Sequence, residues 1–293
     1  MVGATRITTK EVARLLDVSE ATVKRWAENG TLPSERTLGG HRRFSLHSIA
    51  SLRRERNLGR ETPTGPSGEA LKTKAKPLIK AEAFRDLILK GGELEAGAAL
   101  MDAYLQDHEI TSIFDSTVAG AMHRVGELWF KGEISIAAEH LATQLVLSAL
   151  EKLRGVIVPR KQTGLTAVIC GIEGDLHELP VHLVQVILES EGCEVLNLGP
   201  NTPLFALHEM IKDKKPDLVC IAARSINDLG RAAIEYEQLQ KTASKLGTAL
   251  IVGGEAFRDP TMRARFPAEL HATNFEAFSQ FLRAWVEKRS TLK

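Results

Sequence analysis

The hydrophobic rhythm of the chain changes twice along its 293 residues. In the first part, apolar positions form short helical runs. Val12, Leu15 and Leu16 share a face at i, i+3, i+4 spacing behind Thr8 and Glu11, a capping-box pair. Val23, Trp26 and Ala27 follow Ser19 as N-cap, and Gly30 is placed to end that helix. The stretch ERTLGGHRRFS then reads as two short strands about a Gly39-Gly40 turn. Two short helices and a hairpin predict a winged helix-turn-helix over residues 1–60. From 78 to 160 the period stays near that of a helix, with breaks at Gly91-Gly92, Asp107-His108 and Lys131-Gly132. That pattern predicts a four-helix bundle. From 164 to 293, apolar runs at 165–172, 193–199, 217–223, 248–254 and 270–273 alternate with amphipathic stretches. This is the pattern of a flavodoxin-like (Rossmann-type) doubly wound parallel sheet, so the fold class is multidomain α and α/β. Residues 61–77, ETPTGPSGEALKTKAKP, carry neither period and predict a flexible linker that lets the head move.

Composition adds a partner for the head. The content of 43% hydrophobic and 26% charged residues suits a globular protein in water. No apolar run is long enough to span a bilayer and no secretory h-region precedes the head, so the expectation is a cytoplasmic protein with no membrane partner. Cys170, Cys193 and Cys220 lie apart in apolar runs and read as buried thiols rather than a disulfide framework. The formal net charge of +1 conceals a basic head, since residues 1–61 hold 12 Lys/Arg against 7 Asp/Glu. That excess on a helix-turn-helix pattern predicts double-stranded DNA as partner. The candidate contacts are Thr22, Lys24 and Arg25 on the second helix, and Arg36, His41, Arg42 and Arg43 on the hairpin. With its run RTLGGHRRF the head resembles the winged helix-turn-helix of MerR-type regulators, especially the small excisionase-like kind.

The α/β part offers one candidate for chemistry. GDLHELP (174–180) follows the first strand, and loops at that end of a doubly wound sheet line its ligand crevice. His177 on this loop has three open roles: moving a proton, binding a metal, or capping the helix that follows. No serine or cysteine nucleophile lies near it, no HExxH is present, and no catalytic residue is assigned. An ordinary three-ligand zinc site is not supported. One imidazole is enough, however, where a cofactor supplies the other ligands of its metal. Asp175 is placed to hold the second ring nitrogen.

GDLHELP resembles the DxHxxG loop of cobalamin-binding domains, and Gly253-Gly254 matches their double glycine. In ELWFKGEISIAAEH, nine residues separate Trp129 from the pair Glu139-His140. This spacing is similar to the bundle motif of light-responsive, adenosylcobalamin-binding repressors of the CarH/LitR type, which share the order head, bundle, sheet. The resemblance implies a cobalamin, in its adenosyl form, with His177 as lower axial ligand of cobalt and Asp175 orienting it. It implies that Gly253 and Gly254 make room for the nucleotide tail, that Trp129 packs on the adenosyl group and Glu139 contacts it, and that His140 can coordinate cobalt after photolysis. It further implies a non-enzymatic transcriptional repressor, acting on DNA as a homo-oligomer, dimer or tetramer. Three positions depart from the pattern: Pro180 replaces the loop's glycine, and Ala222 and Arg224 stand where the family has Ser-x-Leu. Pro180 suits the first turn of a helix, Ala222 lacks a hydroxyl for the tail, and Arg224 either crowds the slot or bonds a phosphate. These departures keep open a second reading, a regulator whose sensor domain answers to another ligand, a different tetrapyrrole or a protein partner. A cobalamin-dependent enzyme or methyl carrier is a third reading, for which the chain has no room to add a catalytic domain.

Overall fold

A computed structural model describes residues 6–16, 18–37, 39–56 and 77–290. The chain divides into two compact units, one of residues 1–109 and 116–158, the other of residues 110–115 and 159–293. The expected linker at 61–77 lies, apart from Pro77, outside the described residues, as does the side chain of Leu15.

The first unit opens with β1 (Arg6–Thr8) and α1 (Thr9–Leu15), joined by the anticipated capping box. Thr8 accepts from the backbone of Glu11, and Glu11 reaches back to the backbone N–H of Thr8 at 2.7 Å. The second helix, α2 (Glu20–Glu28), starts on Ser19, whose hydroxyl accepts from the Thr22 N–H at 3.1 Å. The hairpin β2 (Glu35–Arg36) and β3 (Arg42–Ser45) follows, and β1 adds to it in the order β1-β3-β2. Gly40, with φ 77, makes the turn, which Gly40 N–H closes onto the Thr37 carbonyl. The hairpin leads into α3 (Leu46–Arg56), a helix that the pattern of the sequence did not announce. Val12, Leu16, Val23, Trp26, Leu32, Phe44 and Ile49 are buried in one core.

That core does not stop at the head. Leu105 and Val156 are buried in the same cluster, with Met101, Tyr104 and Val158 packed against it, and Arg53 pairs with Asp107 at 3.1 Å. The head therefore packs on residues 101–107 and 156–158. The bundle comprises α4 (Ala81–Leu89), α5 (Glu93–Leu105), α7 (Gly120–Phe130) and α8 (Ile136–Arg154). Gly91, Asp107 and Gly132, all at positive φ, mark the three expected breaks. The third expected helix is not uniform. It begins as α6 (Ile110–Ser112) and widens into a π-helical stretch, Ile113–Ala119, before α7. Its first six residues belong to the α/β unit, where Asp115 accepts from the Phe275 and Glu276 N–H groups at 3.0 Å each.

The second unit is a five-stranded parallel sheet in the order β5-β4-β6-β7-β8, the doubly wound order. Its strands are β4 (Thr166–Gly171), β5 (Glu194–Asn197), β6 (Leu218–Ala222), β7 (Ala249–Gly253) and β8 (Leu270–Ala272). Between them run α9 (Leu179–Ser190), α10 (Leu204–Lys214), α11 (Leu229–Leu246) and the short α12 (Pro260–Arg265), and α13 (Phe275–Ser290) closes the chain. Strand side chains alternate faces, so Val168, Cys170 and Ile172 pack with Leu207, Ile211, Tyr236 and Leu239 of α10 and α11. The opposite face is covered by α9 and α13. Cys170, Cys193 and Cys220 are free and buried as expected, and burial pushes the Cys170 thiol up to about 12. No described helix is long and apolar enough to cross a membrane.

Candidate functional site

The chain reverses direction across the sheet at β4, whose neighbours β5 and β6 lie on opposite sides. Doubly wound sheets place their ligand crevice at the carboxyl ends of the strands at such a point, here between the loops after β4 and β6. GDLHELP forms the first of these loops. Asp175 is 4% exposed, and its carboxylate accepts from His177 Nδ1 at 2.6 Å, from the His177 backbone N–H at 3.0 Å and from the Arg224 backbone N–H at 2.5 Å. Burial on its own would raise this carboxyl group's pKa. The hydrogen bonds outweigh burial and hold it below the usual carboxylate value. An ionised carboxylate only accepts, so Nδ1 carries a proton, and Nε2 is the ring nitrogen left to face a ligand. The His177 side chain is 53% exposed. This is the orientation that a metal-ligating imidazole requires.

The geometry removes one of the roles left open by the sequence. The N-cap of α9 is Glu178, and no side chain caps it, so His177 does not serve the helix start. Pro180 stands in the first turn of α9, where its missing N–H has no partner to lose. Two asparagines that pattern reading missed hold the loop from behind. Asn201, at φ 54, donates its backbone N–H to the Asp175 carbonyl at 2.9 Å and accepts from the Gly174 N–H at 2.8 Å. Asn227 donates to the Gly174 carbonyl. The sequence signal for Asn201 was faint: asparagine tolerates positive φ better than other residues with a Cβ, and a Thr-Pro pair follows it.

The double glycine splits into two cases. A Cβ on Gly254, at φ 106, would lie 2.3 Å from the Ala223 carbonyl oxygen, so the fold itself demands glycine there. A Cβ on Gly253 would make only ordinary contacts, 3.4 Å from the Ala272 carbonyl oxygen and 3.5 Å from its Cβ. The fold has room for a side chain at Gly253 and does not use it, which fits a ligand lying over that strand end. Ala222 is half-buried at the end of β6, and Arg224 is exposed.

In the bundle, Trp129 is not a core residue: it is 45% exposed, with Phe130 at 86% beside it and Ile136 and Leu141 at 55% and 56% just beyond the turn. Large apolar residues are thus exposed on both sides of the turn between α7 and α8. Glu139 lies in the first turn of α8 with Thr143 donating to it at 3.1 Å, and the His140 Nε2 is 3.7 Å from the Glu139 carboxylate. The His140 side chain is 69% exposed. Among the described residues no group of three or more His, Cys, Asp or Glu is arranged to hold a metal ion.

On the head, Lys24 and Arg25 of α2 are exposed, as are Arg36 and His41. Thr22 bonds to Ser19 in the N-terminal turn of α2. Arg42 is committed inside the head, donating to the Lys24 carbonyl at 2.8 Å and to Glu28 at 3.2 Å, and so ties the wing to α2. Arg43 is half-buried and donates to the Arg42 carbonyl.

Residues 7–57 match the family model of the helix-turn-helix domain, and residues 80–154 match that of the B12 binding domain. The chain thus carries, in that order, a segment similar to helix-turn-helix domains and a segment similar to B12 binding domains. Trimethylamine corrinoid protein 2 of Methanosarcina acetivorans is 27% identical over 173 residues, which is 58% of this chain and 80% of that protein. The methionine synthase of Mycobacterium tuberculosis is 28% identical over 182 residues, 61% of this chain but 15% of the enzyme. The solved monomethylamine corrinoid protein of Methanosarcina barkeri shares the fold, with a TM-score of 0.57 at 20% identity over 69% of this chain and 96% of that one.

Proposed function

We propose that this protein is a DNA-binding transcriptional repressor whose oligomeric state and DNA affinity are set by a cobalamin, with adenosylcobalamin acting as a light sensor. The observation that carries the reading is His177, held through Nδ1 by the buried Asp175 and presenting Nε2 at the switch point of the sheet. The donor set suits a cobalt that brings its own equatorial ligands, because one outward imidazole is what such a metal lacks. Room over Gly253 suits the displaced nucleotide tail. The names of the relatives, corrinoid proteins among them, support a corrinoid as ligand.

Bound adenosylcobalamin supplies a cobalt–carbon bond that visible light breaks. The protein's own part is to orient and to transmit. Asp175 fixes the His177 ring. Trp129, Glu139 and His140 keep the roles that the resemblance gives them, and the exposed corner around Trp129 and Phe130 is apolar surface that a cofactor or a second copy would cover. The head supplies Lys24, Arg25, Arg36 and His41 to DNA. One small head makes few base contacts, so self-association multiplies its hold on repeated sites. The helix-turn-helix domain favours a cytoplasmic regulator over an enzyme or methyl carrier.

The test is direct. Apo protein given adenosylcobalamin in the dark should retain its absorbance after desalting, elute from gel filtration as an oligomer, and fall to a smaller species on illumination. Absence of retained absorbance would refute the cobalamin reading. Retention with no light-dependent change of size would leave a cobalamin-binding regulator and remove the photoswitch. A second reading, a sensor domain that answers to another ligand, a tetrapyrrole or a protein partner, draws its support from Ala222 and Arg224 at the tail positions, and the first of these outcomes would favour it.

A further inference from the structure

The loops at the carboxyl ends of the strands hold few cations. Residues 172–178, 198–203, 223–228, 254–259 and 273–274 contain Arg224 and Arg258 and no other lysine or arginine. Arg258 pairs with Glu255 at 3.1 Å. The nearest cation on α11, Arg231, pairs with Glu173. Arg224 is exposed, and among the described residues no carboxylate pairs with its guanidinium. Its backbone is fixed from two sides. The Arg224 N–H donates to Asp175, the residue that orients His177. The preceding Ala223 donates to the Gly253 carbonyl at 2.9 Å and accepts from the Ala256 N–H at 3.1 Å. Arg224 thus stands where the His177 loop and the double-glycine loop are stitched together, and it is the one uncommitted cation of that crevice.

The ligand proposed for this crevice carries a matching charge. A cobalamin whose cobalt was ligated by a protein imidazole would have released its own benzimidazole, and the nucleotide tail that leads to that base contains a phosphodiester with one negative charge. Resting on that reading, we propose that Arg224 binds this phosphodiester and makes the site select corrinoids that carry the nucleotide tail over those that lack it. Where the family pattern has Ser-x-Leu, this chain has Ala222 and Arg224, so a hydroxyl is absent at one position and a cation stands at the other. A guanidinium suits a phosphate oxygen pair through its planar fork of donors.

Arg224→Gln removes the charge and leaves the backbone hydrogen bond to Asp175 in place. Binding of hydroxocobalamin and of cobinamide, the same corrin without phosphate or nucleotide, is titrated by absorbance on the full-length chain. A hydrogen bond to a charged group is worth enough for roughly a tenfold to hundredfold change in affinity. The expectation is that Arg224→Gln weakens cobalamin by about that factor and leaves cobinamide unchanged, while Arg224→Lys recovers most of the loss. Added salt should weaken cobalamin binding to the native protein more than to Arg224→Gln. Equal weakening of both corrinoids, or unchanged cobalamin affinity, would overturn the role of Arg224 alone. Failure of the unaltered protein to retain either corrinoid would overturn this proposal and the cobalamin reading together.

Discussion

Gly253 and Gly254 are neighbours in sequence, yet the structure predicts opposite consequences for the same substitution. In Gly254→Ala the new methyl would sit 2.3 Å from the Ala223 carbonyl oxygen and 2.9 Å from its carbon. That carbonyl also accepts from the Ala256 N–H, so the backbone there is held and yields little. The φ of 106 and ψ of 177 add a conformational cost of about 1–3 kcal/mol for a residue with a Cβ, and overpacking adds about 1–3 kcal/mol. The expected loss is therefore about 2–6 kcal/mol. In Gly253→Ala the methyl meets Ala272 at 3.4 Å, an ordinary contact in extended backbone. Removing glycine's freedom in the unfolded chain then stabilises by about 0.4–1 kcal/mol. Urea denaturation followed by circular dichroism separates the two. With a slope of about 1–3 kcal/mol per molar, Gly254→Ala should lower the midpoint by roughly 1 M or more, whereas Gly253→Ala should melt with or slightly above the native protein. The second variant should lose cobalamin affinity while keeping its stability. A Gly253→Ala protein destabilised as much as Gly254→Ala, or a Gly254→Ala protein as stable as the native one, would refute this division between fold and ligand.

Asp175→Asn should cost about 1–3 kcal/mol at pH 7, because an amide cannot accept from every donor that the carboxylate serves. The native pKa is lowered, so the carboxylate's stabilisation is full above its unfolded value of 3.8 and is lost as pH falls through the lower folded value. A stability gap to the native protein that does not narrow below pH 3.8 would contradict this. Trp129→Ala should change thermal stability by less than about 1 kcal/mol, since the ring is 45% exposed, and a loss near 3 kcal/mol would return it to the core. On a DNA target, Lys24→Ala should reduce the slope of log affinity against log salt by about one. Arg42→Ala should instead lower the melting temperature of the head, because that side chain ties the wing to α2; an unchanged melt with a reduced salt slope would show that it contacts phosphate.

Much of the protein follows from local rules and so is written in its sequence. The helical period of α1, α2, α4, α5 and α8, the caps at Thr8 and Ser19, and the strand runs of the sheet depend on residues within a few positions of each other. The pairing of Asp175 with His177 was legible for the same reason, two residues apart on one loop. Tertiary structure decided what depends on distance in the chain. Strand order brings Arg224, 49 positions away, onto the same carboxylate, and places Asn201 behind it. It is the approach of Ala223, just past the end of β6, that makes Gly254 indispensable and leaves Gly253 free. The head's apolar positions predicted a core without saying that Leu105 and Val156 would complete it. An apolar residue at helical spacing reads the same whether its face is covered or bare, so the exposure of Trp129 and Phe130 became visible only when the helices were packed. Periodicity records how a segment folds on itself. Which segments meet, and which surfaces remain for a ligand, is settled by contacts between residues that no short window contains.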